Sequence, residues 1–588
     1  MVLFSFIMLL IVIPPLIKKT KTPPLPREMV LFFTLENGLF EIPSEQGLSA
    51  LFEEQPPPLK QLVDALENAA TDKRVQALVV RMDDGDFDMA HATEFRAALK
   101  HFRASGKKAY IYSNSYGEGG GGLGRYFIAS AFDEIWMQPL GIVSITGVSA
   151  EIPFLRDTLD KIGLAPQFFQ RKEYKSAYES LTNKTMSPAN KEEMTALVTD
   201  IRAEILRTIP KERGMTPAQF ESFVNMGLIT AQEAKKFKLV TQIGYGDTML
   251  DSVANTLTHV PDSSTLHLVD ITDYIKTTEH GGEKNHLSLS PHKKPKVALV
   301  YAVGTIMPSD NGGGLGDGQI VSADTLAPVL HDLADDASVK AVVLRIDSPG
   351  GSPSASESIL HALEHIRKNK KPVIVSMGPL AASGGYWIAS SADRIFALPT
   401  TLTGSIGVVG GKFAIGDLSQ KLGVRWEKIS WGKNAGLWSM NTPFSDSEAE
   451  RMNAMMDQVY DSFIARVAKG RKMKPDAVEA VARGRVWTGV RAKNVGLVDE
   501  IGGLNEALDY AAKRLGQTSR RDVDIAIEPK PKTPFEEALS LFENEPAIGL
   551  GLQHLDSRIT ARLGPLLHIL DRQDHPADYV TYEPLRVR

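Results

Sequence analysis

Residues 381–395 read AASGGYWIASSADRI, and residues 121–135 of the same chain read GGLGRYFIASAFDEI. Around these two stretches, residues 125–148 match residues 385–408 at an offset of 260, with nine of 24 positions identical. A match of this length within one chain indicates that a single structural unit occurs twice.

Two further blocks repeat in the same order. VQALVVRMDDG (75–85) matches VKAVVLRIDSP (339–349) at an offset of 264. LITAQEAKKFKLVTQIG (228–244) matches VWTGVRAKNVGLVDEIG (486–502) at an offset of 258. Three collinear blocks with only small changes of offset predict a tandem duplication rather than chance similarity.

Each copy alternates short β-branched runs with amphipathic helical stretches. The first copy opens with MVLFFTL (29–35) and the second with KVALVYAV (296–303), while LKQLVDALENAA (59–70) has helical spacing. The alternation predicts an α/β fold in which crossover helices join parallel strands. We expect a first repeat at 29–275, a polar linker at 276–296, a second repeat at 297–515 and a tail without assigned function at 516–588.

The composition is that of a globular protein. The 588 residues are 43% hydrophobic and 23% charged, with a formal charge of −5, and this length predicts several domains. Because no strongly basic patch is present, nucleic acid is not expected as a partner. The chain has no cysteine, which excludes disulfides, thiolate metal sites and a cysteine nucleophile.

The N-terminal residues 1–17, MVLFSFIMLLIVIPPLI, carry no charged side chain. Seventeen residues are the lower limit for spanning a bilayer, so we expect a membrane anchor, whose abrupt start is compatible with a longer natural segment. A signal peptide is the alternative, but neither a basic n-region nor an A-x-A-like site is present. Lys18, Lys19 and Lys21 follow, and the positive-inside rule would place the body of the protein in the cytoplasm.

The two copies differ where a reactive site would lie. After its strand the second copy has SPGGS (348–352), whose adjacent glycines let backbone N–H groups approach a ligand, whereas the first copy has DGDFD (84–88). Ser383 lies at a strand-to-helix turn, and the aligned position of the first copy is Leu123. An isolated ASGG is usually only a tight turn, but the paired loss of both features in one copy favours an acyl-transfer site in the other.

A nucleophilic serine needs a base. His91, His101, His331 and His361 lie in helix-like segments without a motif that the repeat supports. Lys175, in RKEYKSAYE (171–179), aligns with Lys433 at the 258 offset, and a buried lysine can act as a general base. A lone lysine is normally a solvated surface group, so the spacing alone leaves the base open.

Over roughly residues 30–515 the chain resembles the signal peptide peptidase A family in its long, duplicated form. The motifs that carry the resemblance are DSPGGS, AASGGYWIAS, TLTGSIGV, EYKSAYE and VWTGVRAKNVGLVDEIGG. Members of this family are serine–lysine membrane peptidases whose fold is similar to the Clp protease and crotonase group. The resemblance implies that Ser383 is the nucleophile, Lys175 the general base and Ser405 the residue that orients the lysine. It also implies an oxyanion hole formed by the N–H of Gly384 with that of Gly350 or Gly351.

The same resemblance implies the partners and the setting. The substrates would be cleaved signal peptides and other apolar peptides, no cofactor or metal would be required, and the chains would form a ring, a homotetramer. In a ring that alternates first and second copies, Lys175 would lie beside Ser383 and Lys433 would face Leu123. The resemblance implies a single-pass protein of the bacterial inner membrane whose catalytic body lies in the periplasm. This orientation is opposite to the one that Lys18, Lys19 and Lys21 favour.

Four other readings compete with a peptidase. GGGGLG (119–124) satisfies G-x-G-x-x-G, but the repeat explains it as a degenerate nucleophile turn. HALEH (361–365) fits an inverted zinc-peptidase motif without an apparent third ligand. A crotonase-type acyl-CoA enzyme would use the same oxyanion hole without a serine nucleophile. A catalytically idle membrane scaffold would require Ser383 or Lys175 to be unreactive.

Overall fold

The structure is a computed structural model, and it describes residues 24–530 except 37, 43–55, 84, 86, 285–293 and 311–318. The predicted anchor at 1–17 and most of the predicted tail, from 531 onward, lie outside the described residues. Among the described residues, no helix combines the length and the apolar character needed to cross a membrane.

The first unit is an α/β domain that runs to residue 284. Its strands are β1 (Met29–Leu35), β2 (Val75–Met82), β3 (Lys108–Ser113), β4 (Glu134–Met137), β5 (Ile142–Ser144), β6 (Ala165–Gln170), β7 (Leu228–Thr230), β8 (Gln242–Ile243) and β9 (Leu268–Asp270). Its helices are α1 (Leu59–Thr71), α2 (Met89–Ala104), α3 (Gly122–Ala129), α4 (Arg156–Ile162), α5 (Glu179–Thr182), α6 (Pro188–Arg213), α7 (Pro217–Met226), α8 (Ala231–Lys236), α9 (Gly246–Thr258) and α10 (Ile271–Lys284).

The second unit repeats this plan. Its strands are β10 (Lys296–Val303), β11 (Thr305–Met307), β12 (Ile320–Ser322), β13 (Val339–Ser348), β14 (Val373–Ala382), β15 (Arg394–Ala397), β16 (Leu402–Gly404), β17 (Val409–Ala414), β18 (Val486–Thr488), β19 (Glu500–Ile501) and β20 (Asp524–Ile527). Its helices are α11 (Ala323–Asp335), α12 (Pro353–Lys368), α13 (Gly384–Ala389), α14 (Gly416–Lys421), α15 (Asp446–Arg471), α16 (Pro475–Val481), α17 (Gly489–Asn494) and α18 (Leu504–Arg514).

The two sheets have the same strand order. The first runs β8-β4-β3-β2-β1-β9, and the second runs β19-β15-β14-β13-β10-β20, with β16 and β18 added beside β14. The strands of both shared paths are parallel, and helices cover both faces, which is why the central strands are almost wholly apolar. This equivalence of sheets is the tandem duplication in three dimensions.

Equivalent side chains make equivalent contacts in the two units. Tyr126 donates its hydroxyl proton to the Leu239 carbonyl at 2.8 Å, and Tyr386 donates to the Leu497 carbonyl at the same distance. Both tyrosines are fully buried, so a satisfied hydroxyl at this position is a requirement of the shared fold.

The boundaries of the units differ from those expected. Residues 276–284, predicted as linker, continue α10, because Ile271, Tyr274 and Ile275 form a buried stripe that docks the helix. Residues 524–527, predicted as tail, form β20 and pair with Lys296–Leu299 of β10. The second sheet is therefore completed by residues beyond 515.

The units are joined next to the site described below. Strand β6 of the first unit pairs antiparallel with β17 of the second, from Gln170 opposite Val409 to Ala165 opposite Ala414. Six consecutive residue pairs across this junction fix the path of the chain that follows β6, including Lys175.

Candidate active site

Ser383 lies between the end of β14 and the start of α13. Its φ is 53°, a conformation that costs energy for a residue with a side chain and that is found at functional turns. Hydrogen bonds from Ser383 N to the Gly404 carbonyl and from Trp387 N to the Ser383 carbonyl, both 2.9 Å, hold the turn. In the first unit the aligned Leu123 is already inside helix α3, and it packs on the core.

Lys175 reaches this serine from the other unit. It lies between β6 and α5, its side chain is only 6% exposed, and its Nζ is 3.2 Å from Ser383 Oγ. Burial lowers the pKa of the Lys175 amine to about 8, although the nearby Glu193 carboxyl acts in the opposite direction. A substantial fraction of the amine is therefore neutral near pH 8 and able to accept a proton.

Ser405 completes the hydrogen bonds of the lysine. The Lys175 amine donates to Ser405 Oγ at 2.9 Å and to the Ser405 carbonyl at 3.1 Å. Ser405 is held in turn by its own N–H, which donates to the Arg485 carbonyl at 2.7 Å. The three predicted residues Ser383, Lys175 and Ser405 are thus brought together in one chain.

The predicted glycines lie beside the serine. Gly350 and Gly351 have φ of 99° and 153°, a backbone that glycine adopts without strain, and a Cβ on Gly350 would lie 2.4 Å from Gly384 N. Gly350 N–H donates to Ser348 Oγ at 3.1 Å. An ideal Cβ on Gly384 would lie 3.1 Å from Gly351 N, so the N–H groups of Gly351 and Gly384 are close neighbours.

A cavity of about 550 Å³ opens over Ser383 and Lys175. Both units line it, chiefly with apolar side chains of the two long helices α6 and α15. These side chains are Met194, Leu197, Val198 and Ile201 from α6 and Met455, Met456, Val459 and Phe463 from α15. The site is therefore a largely apolar groove with a serine and a lysine in its wall.

The remaining sequence candidates lie elsewhere. Lys433 is exposed and does not line the cavity. The rings of His361 and His365 lie 6.1 and 5.1 Å from the ring of His331, yet within the described ranges no group of histidine, aspartate and glutamate side chains could hold a metal ion. In GGGGLG a Cβ on Gly122 would lie 2.0 Å from the Ser144 carbonyl, so close packing accounts for this glycine.

Sequence reasoning missed Glu193, which lines the same cavity and is 4% exposed. At the 258 offset its counterpart in the second copy is Arg451. This change of charge between copies is the same kind of signal that singled out Ser383, and it could have identified the residue.

Comparisons with known proteins agree with a peptidase site. Residues 101–260 and 365–518 match Peptidase family S49, one match in each unit. Protease 4 of Haemophilus influenzae is 33% identical over 478 residues, which cover 79% of this chain and 75% of that protein. Protease 4 of Salmonella typhi is 32% identical, covering 77% and 71% of the two chains.

A plant relative and one solved structure extend the comparison. The chloroplastic serine protease SPPA of Arabidopsis thaliana is 31% identical and covers 82% of this chain and 69% of its own. A ClpP1 mutant from Listeria monocytogenes aligns with 36% of this chain and 93% of its own at 17% identity, with a TM-score of 0.24. With a family match in both units and relatives above 30% identity over most of their length, the chain belongs to peptidase family S49 and is a serine peptidase.

Proposed function

We propose that this peptidase works through a Ser383–Lys175 dyad and cleaves apolar peptides, in particular the signal peptides that remain in a membrane after preproteins are processed. The observation that carries the proposal is the 3.2 Å separation between Lys175 Nζ and Ser383 Oγ in a buried setting. The resemblance to signal peptide peptidases supports the choice of substrate, as does the apolar groove.

The proposed mechanism begins with proton transfer from Ser383 to the neutral Lys175 amine. Ser383 Oγ attacks the peptide carbonyl carbon, and the carbonyl electron pair moves to its oxygen. When the tetrahedral intermediate collapses, the C–N bond breaks and the lysine ammonium protonates the leaving amine. Lys175 then takes a proton from water, which attacks the acyl-enzyme, and returns it to Ser383 as the acid is released.

The oxyanion of the intermediate needs donors that are free to turn toward it. Gly350 N–H is already engaged by Ser348 Oγ at 3.1 Å. We therefore assign the hole to the N–H groups of Gly384 and Gly351, the second of the two glycines that the sequence left open.

The dyad is tested by alanine variants of its two members. We expect Ser383→Ala and Lys175→Ala each to reduce cleavage of a quenched-fluorescent apolar signal peptide to background, because one lacks the nucleophile and the other lacks the base. Labelling by a fluorophosphonate should disappear in both variants. Lys433→Ala is the matched control and should remain near normal; an inactive Lys433→Ala with an active Lys175→Ala would refute the pairing.

The ring is also a proposal. The segment 422–440 of the second unit, which carries Lys433, exposes Leu422, Ile429 and Trp431, each at least 73% accessible. Its counterpart in the first unit is the segment that delivers Lys175 to Ser383. If the segment 422–440 packs in the same way on the first unit of another chain, its apolar side chains are covered. Repetition of this contact from chain to chain would close a ring.

The mass of the full chain in solution tests the ring. We expect an oligomer, a tetramer by the resemblance, and we expect Trp431→Asp combined with Ile429→Asp to reduce it to single chains because a charge cannot be buried at the contact. Val260→Asp, at an exposed position of the first unit, should leave the mass unchanged. An unchanged mass in the double variant would refute this contact.

Membrane attachment and a periplasmic body remain part of the proposal. They are supported by the apolar run at 1–17 and by the resemblance, while Lys18, Lys19 and Lys21 favour the opposite orientation. Protease protection of the full chain in sealed, inside-out inner-membrane vesicles distinguishes the two orientations. A periplasmic body lies in the lumen of such vesicles and is protected, whereas a cytoplasmic body faces the outside and is digested.

A further inference from the structure

Glu193 is a buried carboxyl in the wall of the active-site cavity. It lies on α6 of the first unit, and its Oε2 accepts a hydrogen bond from Val486 N of the second unit at 2.7 Å. Arg485, the neighbouring cation, directs its ion pair to the exposed Glu192 at 2.8 Å. Within the described residues no ion pair of Glu193 is found, so its ionised form has little compensation for burial.

The carboxyl is connected to the lysine through the backbone of the second unit. Val486 begins β18, and the preceding Arg485 carbonyl accepts the Ser405 N–H, while Ser405 accepts two hydrogen bonds from Lys175. Glu193 thus fixes the start of β18, and the residue just before that strand, Arg485, binds Ser405. Glu193 also lines the same cavity as Lys175.

The charged groups that face Glu193 are Arg485 in the loop before β18, Lys175 in the loop after β6 and Glu179 in α5. Burial raises the pKa of its carboxyl to about 8, while the Val486 N–H and the charges of Arg485 and Lys175 lower it and the Glu179 carboxylate raises it. Because an ionised Glu193 favours the protonated form of Lys175, the two groups compete for protons in the same pH range.

We propose that Glu193 is a positioning residue for Lys175, whose buried carboxyl competes with the lysine amine for a proton and so sets the pH range in which Lys175 acts as the base. The inference rests on the proposed dyad. In the working state Glu193 is protonated and Lys175 is neutral; transfer of the Glu193 proton to the amine returns the lysine to its protonated, inactive form.

The pH dependence of kcat/KM tests the proposal. In the wild type, activity should rise as the pH increases toward about 8, because only the neutral amine accepts the serine proton. Glu193→Gln retains an oxygen for the Val486 N–H but cannot ionise. The rise of activity with pH (the acid limb) should therefore shift to lower pH in its upper part, where wild-type Glu193 ionises, by up to about half a unit. Two units below the wild-type midpoint Glu193 is already neutral, so relative activity there should be the same in the two proteins, and the difference should appear near and above pH 8.

Two further variants separate charge from structure. Glu193→Asp keeps an ionisable carboxyl, so its acid limb should lie at or above the wild-type position, opposite to the shift in Glu193→Gln. Glu204→Gln changes a buried carboxylate on the same helix outside the cavity and should leave the profile unchanged.

The outcomes are distinct from those that test the dyad. An unchanged acid limb in Glu193→Gln, shifts of the same sign in the Gln and Asp variants, or failure of Glu193→Gln to fold would each overturn the proposal, the last because an ionised carboxylate would then be structural. These results leave the dyad intact as long as Lys175→Ala is inactive. An active Lys175→Ala would instead remove the proposed function itself.

Discussion

At the scale of single residues, Ser405 determines how the lysine amine is oriented. A neutral amine has two protons and one lone pair. The Ser405 hydroxyl and carbonyl, at 2.9 and 3.1 Å from Lys175 Nζ, accept the two protons, and the lone pair is left facing Ser383 Oγ at 3.2 Å. The arrangement supports the proposed role of Lys175 as the base, because it points the lone pair of the amine at the Ser383 hydroxyl.

We predict that Ser405→Ala reduces kcat by about 10–100-fold with little change in KM, since one hydrogen bond of the ionisable amine, worth about 1.5–3 kcal/mol, is lost. Steady-state kinetics on an apolar peptide measures the effect. Ser390→Ala is the control, because this buried hydroxyl donates only to the Trp387 carbonyl, at 2.7 Å, away from the lysine. Equal kcat values for the two variants would contradict an orienting role.

At the scale of elements, the loop between α16 and β18 packs against the backbone of Tyr174 and Lys175 and fixes its position. Tyr174 N donates to the Arg483 carbonyl at 3.1 Å, and Gly484 N donates to the Ile406 carbonyl at 2.8 Å. Gly484 has a φ of 84°, and a Cβ there would lie 2.4 Å from Lys175 N. A side chain at 484 must therefore displace the backbone that carries Lys175.

We predict that Gly484→Ala lowers kcat by at least tenfold, because a displacement of about 1 Å at Lys175, the proposed base, is costly. Gly516→Ala is a matched control: its φ of 76° imposes a similar backbone strain, about 1 kcal/mol, but nothing lies within 4 Å of the added carbon. Activity and melting temperature of both variants should be measured. The prediction fails if the two variants lose the same activity.

At the scale of the whole molecule, a buried ionic cluster joins the two units. Arg345 of β13, 1% exposed, pairs with Glu41 and Glu94 of the first unit and donates to Ser376 Oγ at 2.8 Å. Glu41 also binds His91 Nε2 at 2.8 Å. The repeat-equivalent Arg81 is instead half exposed and pairs with Asp83, so only one of the two arginines serves as a junction.

We predict that Arg345→Met destabilises the protein by about 3–5 kcal/mol, because two buried carboxylates lose their partner. Scanning calorimetry of the full chain should show a melting transition several degrees lower. Arg394→Met removes an ion pair that is more than one third exposed, with Glu500, and should cost about 0–1 kcal/mol. Similar melting temperatures for the two variants would show that the cluster does not hold the units together.

Local patterns in the sequence predicted a large part of the fold. The runs 29–35 and 296–303 are strands β1 and β10, and the stretch 59–70 lies in helix α1, since alternation and helical spacing report burial directly. The predicted linker began too early in the chain. Residues 276–284 have no apolar stripe, so they gave no helical signal, but they continue a helix whose first residues pack on the core. The short edge strand β20 was overlooked although Val523, Ile525 and Ile527 alternate with other residues, because four residues at the end of a repeat are too short to stand out from a tail.

The sequence by itself determined the duplication, the α/β class and the loss of a serine from one copy, because each of these is a comparison between aligned letters of the chain. Only the tertiary structure decided which lysine meets Ser383, which glycine N–H is free and that Glu193 and Arg345 join the two units. These contacts connect residues as far apart as the 304 positions between Glu41 and Arg345. Their distances depend on how two folded units pack, which no local pattern of residues encodes.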